Sequence, residues 1–175
     1  ATGEQKGMLL GGIISGELQI APALAEPNGR YNPASVATTA TVDGDQIILN
    51  GTKIAVENGP NADTLLVSAR ESGEMRDVEG ISVFAVKAGS PGVKIKKYRT
   101  VDGKQAAEVM LGQVSVAASN RLGEAGAALP GIESALNRSI VAVSAEAVGA
   151  LEVLLQKTVE YSKTRKQVGT AIGTF

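Results

Sequence analysis

Between Val36 and Asp43 the chain alternates, with Val36, Thr38, Ala40 and Val42 interleaved by Ala37, Thr39, Thr41 and Asp43. Successive strand side chains point to opposite faces, so a period of two predicts a β-strand with one buried face. Asp43-Gly44 then predicts a reversal into Ile47-Ile48-Leu49, and Asn50-Gly51 reads as another hairpin signal. Further strands are expected at 18–21, 64–69, 81–86, 93–98 and 109–116, with a turn at Pro27-Asn28-Gly29 and a break at Pro33. Many short strands at this spacing predict an antiparallel barrel or sandwich.

Past Gly123-Glu124-Ala125-Gly126 the period changes. Ile132, Leu136, Ile140, Val143, Ala147, Leu151, Leu154 and Val159 recur at helical steps, which predicts one long amphipathic helix over about 130–166. No later helix follows to cover that stripe, so other sequence or another subunit is expected to do so. The stretch 4–14 carries Gly7, Gly11 and Gly12 and is expected to be weakly helical, the tail of an element that begins upstream. The fold class is therefore α+β: an antiparallel β-barrel or sandwich, then one long helix.

Composition narrows the chemistry. Lys plus Arg at 17 against Asp plus Glu at 18 gives a net charge of −1, and two Phe, three Tyr and no Trp leave little to stack on bases. A nucleic-acid partner is not expected. Without Cys or His, thiol nucleophiles, disulfides, thiolate metal sites and Ser-His-Asp catalysis are excluded, and no metal site is expected. No uninterrupted apolar run approaches the ~20 residues of a membrane span, so no membrane span and a cytoplasmic location are expected.

Candidate chemistry rests on a few side chains, each with a plain alternative. Arg165-Lys166-Gln167 at a helix C-terminus complements the helix dipole, or Arg165 grips a phosphate. Glu26-Pro27 reads as a strand end and turn, or as part of a site. Glu57 reads as a solvated carboxylate before Asn58-Gly59, Glu146 as a surface or partner contact, and Lys94, Lys96 and Lys97 as a solvated strand face.

Two stretches go further. Leu24-Ala25-Glu26-Pro27, followed by Thr38-Thr39-Ala40, Asp43-Gly44-Asp45, Asn50-Gly51-Thr52-Lys53, Asn58-Gly59 and Ala62-Asp63, resembles without a gap the flavin-dependent acyl-CoA dehydrogenases. The likeness resumes at Gly80-Ile81-Ser82-Val83-Phe84 with Pro91-Gly92-Val93, at Ala107-Glu108-Val109 through Leu122-Gly123, and at Tyr161 to Gly169.

The resemblance implies that residues 1–16 end an N-terminal helical domain, 17–122 form the β-barrel middle domain, and 123–175 open a C-terminal helical bundle. The chain is then a fragment of a subunit about twice as long. It implies FAD as cofactor, an acyl-CoA substrate oxidised at Cα–Cβ to a trans-2-enoyl-CoA, an electron-transfer acceptor, and a homo- or hetero-oligomer. The implied cofactor contacts are Leu24, Ala25, Glu26, Val56 and Glu57, with Arg165 and Gln167 reaching the pyrophosphate of a neighbouring subunit. Tyr31 is the implied substrate contact. The family's catalytic glutamate falls either beyond Phe175 or near 137–139, where no carboxylate stands, so no catalytic residue is assigned and the fragment alone is expected to be inactive.

Departures from the pattern are as specific as the matches. Ala25 replaces the threonine of L-T-E-P, Arg30, Tyr31 and Asn32 replace G-S-D, Ala55, Val56 and Glu57 replace W-I-T, and Val168 replaces the phenylalanine of R-x-Q-F-G. With the Tyr98-Arg99-Thr100-Val101-Asp102-Gly103 segment, this altered pattern is similar to the small subunit of two-subunit pimeloyl-CoA dehydrogenases, which implies a large-subunit partner.

Overall fold

The computed structural model describes all residues, Ala1–Phe175, as two compact units, Ala1–Ile132 and Glu133–Phe175. In the first, helix α1 (Gly3–Ser15) is followed by β1 (Ile20–Ala23), β2 (Thr39–Asp43), β3 (Gln46–Glu57), β4 (Thr64–Arg70), β5 (Ile81–Lys87), β6 (Val93–Arg99) and β7 (Gln105–Ala117). The seven strands form one sheet, ordered β1-β4-β2-β3-β7-β6 with β5 on the other edge of β4. It curls around a single core to which Leu49, Val67, Phe84, Val109 and Val114 contribute from β3, β4, β5 and β7.

The sheet is antiparallel except along one edge of β4. There β1 runs parallel over Ile20↔Thr64 to Ala23↔Val67, and β2 adds a single parallel pairing, Thr39↔Arg70. Parallel strands need a long crossover, and residues 24–63 supply it. Because β1 and β2 take successive stretches of the same edge, the connection 24–38 between them leaves the sheet and returns to it.

That excursion shortens β2. The alternation predicts a strand from Val36, yet β2 begins at Thr39. Glu26 accepts hydrogen bonds from the amides of Ala37 and Thr38, and Arg70 donates to the carbonyls of Ala34 and Val36. Those side chains occupy backbone groups that a ladder would otherwise use.

Asn50-Gly51 is not a turn either, since β3 runs straight through it for 12 residues. Two bulges relieve the mismatch with β7: Gln113 is the extra residue on β7 and Ala55 the extra residue on β3. Both are left-handed, at φ 54° and 51°. Asn50 Oδ1 accepts from Gln113 N at 2.8 Å and Nε2 at 3.0 Å, so the apparent turn residue holds a bulge. Gly51 is required because a Cβ there would lie 2.7 Å from Thr38 Cβ and 2.8 Å from its Cα.

Helix α1 is better formed than its glycines predict. Thr2 and Gln5 make a capping box, and Gln5 Nε2 also donates to the carbonyls of Ser119 at 2.7 Å and Arg121 at 2.8 Å. Arg121 in turn pairs with Glu71 through two bonds of 2.7 and 2.8 Å.

Helix α2 (Leu129–Thr164) begins at the edge of the first unit, where Leu129 and Ile132 pack with Ala34, Val36 and Ile81. The rest belongs to the second unit. Beyond the expected stripe, Val141, Val148, Val153 and Leu155 are also exposed, so its apolar surface is wider than one face. Its length and an 18-residue window of mean hydropathy 1.5 make it apolar enough to cross a membrane by composition alone. The core helix of a soluble protein passes the same test, and here Arg138, Glu146, Glu152 and Lys157 interrupt every apolar run. After α2 come a short hairpin, β8 (Lys166–Gln167) and β9 (Thr170–Ala171), and a 3-10 turn, Ile172–Thr174.

Candidate functional site

The excursion 24–38 and the β3 bulge meet. Ile54 N donates to the carbonyl of Ala25 at 2.9 Å, which sets the connection against the residue preceding the bulge. Beneath that contact lies a buried ion pair. Lys53, 0% exposed, places Nζ 2.6 Å from Oε1 of Glu26, which is 6% exposed. The ammonium also donates to Ser68 Oγ at 2.9 Å and lies 3.5 Å from the carbonyl of Leu24. Glu26 completes its shell with the amides of Ala37 (Oε2, 2.7 Å) and Thr38 (Oε1, 3.0 Å).

Burial works against the charge on Glu26, but the Lys53 ammonium and the Ala37 amide outweigh it and hold the carboxyl below its ordinary value. Burial lowers Lys53 below the usual lysine range, and Glu26 offsets only part of that. Both oxygens of Glu26 accept hydrogen bonds inside the chain, and its side chain is buried.

Arg70 holds the same segment by the opposite pole. Its guanidinium, 7% exposed, donates to the carbonyls of Ala34, Val36, Ser72, Met75, Asp77 and Glu79 at 2.9 to 3.3 Å. Residues 34–38 are thus gripped at their N–H groups by a carboxylate and at their C=O groups by a guanidinium.

The other residues singled out by sequence divide sharply. Leu24 packs against the small cluster around Val36 and Ile81, and Ala25 is half-buried. The amides of Leu24, Ala25 and Glu26 donate to no group in the chain. Val56 is 1% exposed and faces the core, so only its main chain is available. Glu57 is exposed with no ion pair, and Tyr31 is fully exposed. In the second unit, Arg165 ends α2: its amide donates to Tyr161 O at 2.8 Å and its carbonyl accepts from Ile172 N at 2.9 Å, leaving the side chain exposed. Gln167 pairs with Thr170 across the hairpin.

Backbone strain marks the same places. Five non-glycine residues have positive φ, and four of them, Arg30, Ala55, Asn58 and Val168, lie in the segments just described. Such residues concentrate at ligand clamps and switches, where surrounding structure over-determines the backbone. Val168 is the most strained type, a β-branched residue in the first position of a turn completed by Gly169.

Residues 21–115 match the acyl-CoA dehydrogenase middle domain family, and the match covers more than half of the chain. The chain belongs to the acyl-CoA dehydrogenase family. A short-chain-specific acyl-CoA dehydrogenase of Clostridium acetobutylicum is 30% identical over 177 residues, 99% of this chain and 46% of that protein. The prolyl acyl carrier protein oxidase AnaB superposes with a TM-score of 0.91 at 34% identity, over 99% of this chain and 47% of that one. The FAD complex of PigA does so with a TM-score of 0.91 at 29% identity, over 100% of this chain and 46% of that one. The chain therefore spans about half the length of the relatives it matches.

Lys53, Ser68 and Arg70 were absent from the sequence-derived site. A signal for Lys53 existed: it stands in phase with Ile47, Leu49 and Gly51, and a lysine on the inward face of a strand calls for a buried carboxylate.

Proposed function

We propose that the chain is part of an FAD-dependent acyl-CoA dehydrogenase-like subunit, with residues 17–122 as its middle domain, 1–16 ending an N-terminal helical domain and 123–175 opening a C-terminal bundle. Supporting this is the coincidence of the family match with the unpaired amides at 24–26 and the left-handed residues Ala55 and Asn58. The residues present fit a flavin held mainly by main chain. Ala25 lacks a hydroxyl and Val56 turns inward, while the free amides of Leu24 to Glu26 are donors suited to the carbonyls of a flavin ring. A relative solved as an FAD complex points to the same cofactor. A flavin bound there would accept the hydride equivalent removed from the acyl chain.

In this reading the chain's own residues bind and orient. The 24–26 amides set the ring, and Arg165 and Gln167, exposed just past α2, meet the pyrophosphate of a flavin held by a neighbouring subunit, for which a guanidinium fork is well shaped. The broad apolar surface of α2 fits burial among other helices of a bundle, in a cytoplasmic oligomer served by an electron-transfer acceptor. The substrate class is a thioester, carried on coenzyme A or, as the name of AnaB suggests, on a carrier protein. The isolated chain, with no assigned catalytic carboxylate, is inactive.

A second reading has its own observation. Ala25, Ala55 and Glu57 remove the usual polar and aromatic flavin contacts and Tyr31 alters the substrate side, as in the pimeloyl-CoA dehydrogenase small-subunit type. The chain would then belong to a non-catalytic subunit that completes a hetero-oligomer. The test is to add a panel of acyl thioesters to the protein from the complete reading frame, loaded with FAD. Loss of the oxidised flavin band supports the first reading, and an unbleached flavin across the panel favours the second.

A further inference from the structure

We infer that the Glu26 side chain, backed by Lys53, is a positioning group for the ligand-facing wall: it touches no ligand and instead fixes the backbone of 24–26 and 37–38 against the β3 bulge. The inference rests on reading that wall as the cofactor site, and deepens it.

Several observations carry it. Glu26 is the third residue of the excursion, and its carboxylate ties the start of the excursion to its end at Ala37 and Thr38. Lys53 ties that carboxylate to β3, one residue before Ile54 takes the carbonyl of Ala25, and to β4 through Ser68. One ammonium and one carboxylate thus join three chain segments at the point where three neighbouring amides are left free. Stability alone gives no reason for charges here, because a buried ion pair is often no better than a well-packed apolar pair of the same volume. What an ion pair with directed hydrogen bonds adds is a defined geometry.

The experiment compares amide hydrogen exchange in the protein from its complete reading frame with that of the isosteric neutral variant Glu26→Gln/Lys53→Met, and titrates both with FAD. A purely structural pair predicts exchange changes spread over the whole sheet in proportion to any change in melting temperature. Positioning predicts exchange faster by roughly tenfold confined to the hydrogen-bonded amides of 37–38 and 54–57, with β4, β5 and β7 unchanged. Unchanged exchange in those segments, or a uniform rise everywhere, overturns the inference. Ser68→Ala, which keeps the ion pair, decides the matter if the double variant does not fold: a rise confined to 37–38 and 54–57 supports the inference and its absence refutes it. FAD titration separates the two layers of the argument. A parent protein that binds no FAD refutes the cofactor reading, while the exchange pattern still decides what Glu26 does.

Discussion

Lys53 Nζ lies 2.6 Å from Glu26 Oε1, and neither side chain is more than 6% exposed. Breaking such a pair from one side strands a buried charge. Lys53→Met is therefore expected to destabilise the protein by about 3–5 kcal/mol. The double variant Glu26→Gln/Lys53→Met is expected to recover most of that loss. Urea unfolding of the two variants checks it, and a double variant as unstable as the single one would mean that packing, not charge, is at stake.

The same pair sets the acid limit. Glu26 has its carboxyl depressed in the folded state, so its contribution to stability is present above the unfolded value of 4.5 and is lost as pH falls through the lower folded value. Below that point Lys53 stays charged and buried without its partner. Thermal melts across the acid range are expected to show a steeper decline for the parent than for the neutral double variant; parallel curves would remove Glu26 as the source.

Arg70 makes a different prediction, because its charge is met by six carbonyls and no carboxylate. A lysine has three donors on a point charge and cannot reproduce the planar fork. Arg70→Lys is expected to cost on the order of 3 kcal/mol and to loosen residues 72–79, read as faster limited proteolysis there.

At Ala55 the account predicts a gain. Its left-handed backbone, φ 51°, carries a Cβ penalty that glycine avoids. Ala55→Gly is expected to leave stability unchanged or raise it by up to about 1 kcal/mol. A loss beyond that range in chemical denaturation would show that the Ala55 methyl group packs usefully at the bulge.

Much of this fold was legible in the alternation of 36–43, the Asp43-Gly44 reversal and the stripe from Ile132 to Val159, because these are local patterns with a single physical reading. Where the reading failed, the cause was a distant side chain. Val36 to Thr38 alternate like a strand, but Glu26 and Arg70 claim their backbone groups. Asn50-Gly51 has turn chemistry, but Gln113 on another strand uses the asparagine to hold a bulge. The candidate site was legible as a stretch, through 24–26 and 55–57. Its supports were not, since Lys53, Ser68 and Arg70 act only after the sheet has brought them to Glu26 and residues 34–38.

The central claim is that the wall formed by 24–26 and the β3 bulge holds a flavin. The most direct measurement is the visible absorbance of the protein purified from its complete reading frame, alone and coexpressed with a candidate partner subunit. The account predicts an oxidised-flavin spectrum that copurifies with the protein and, after removal, returns on addition of FAD. A colourless protein that takes up no FAD in either preparation would contradict it.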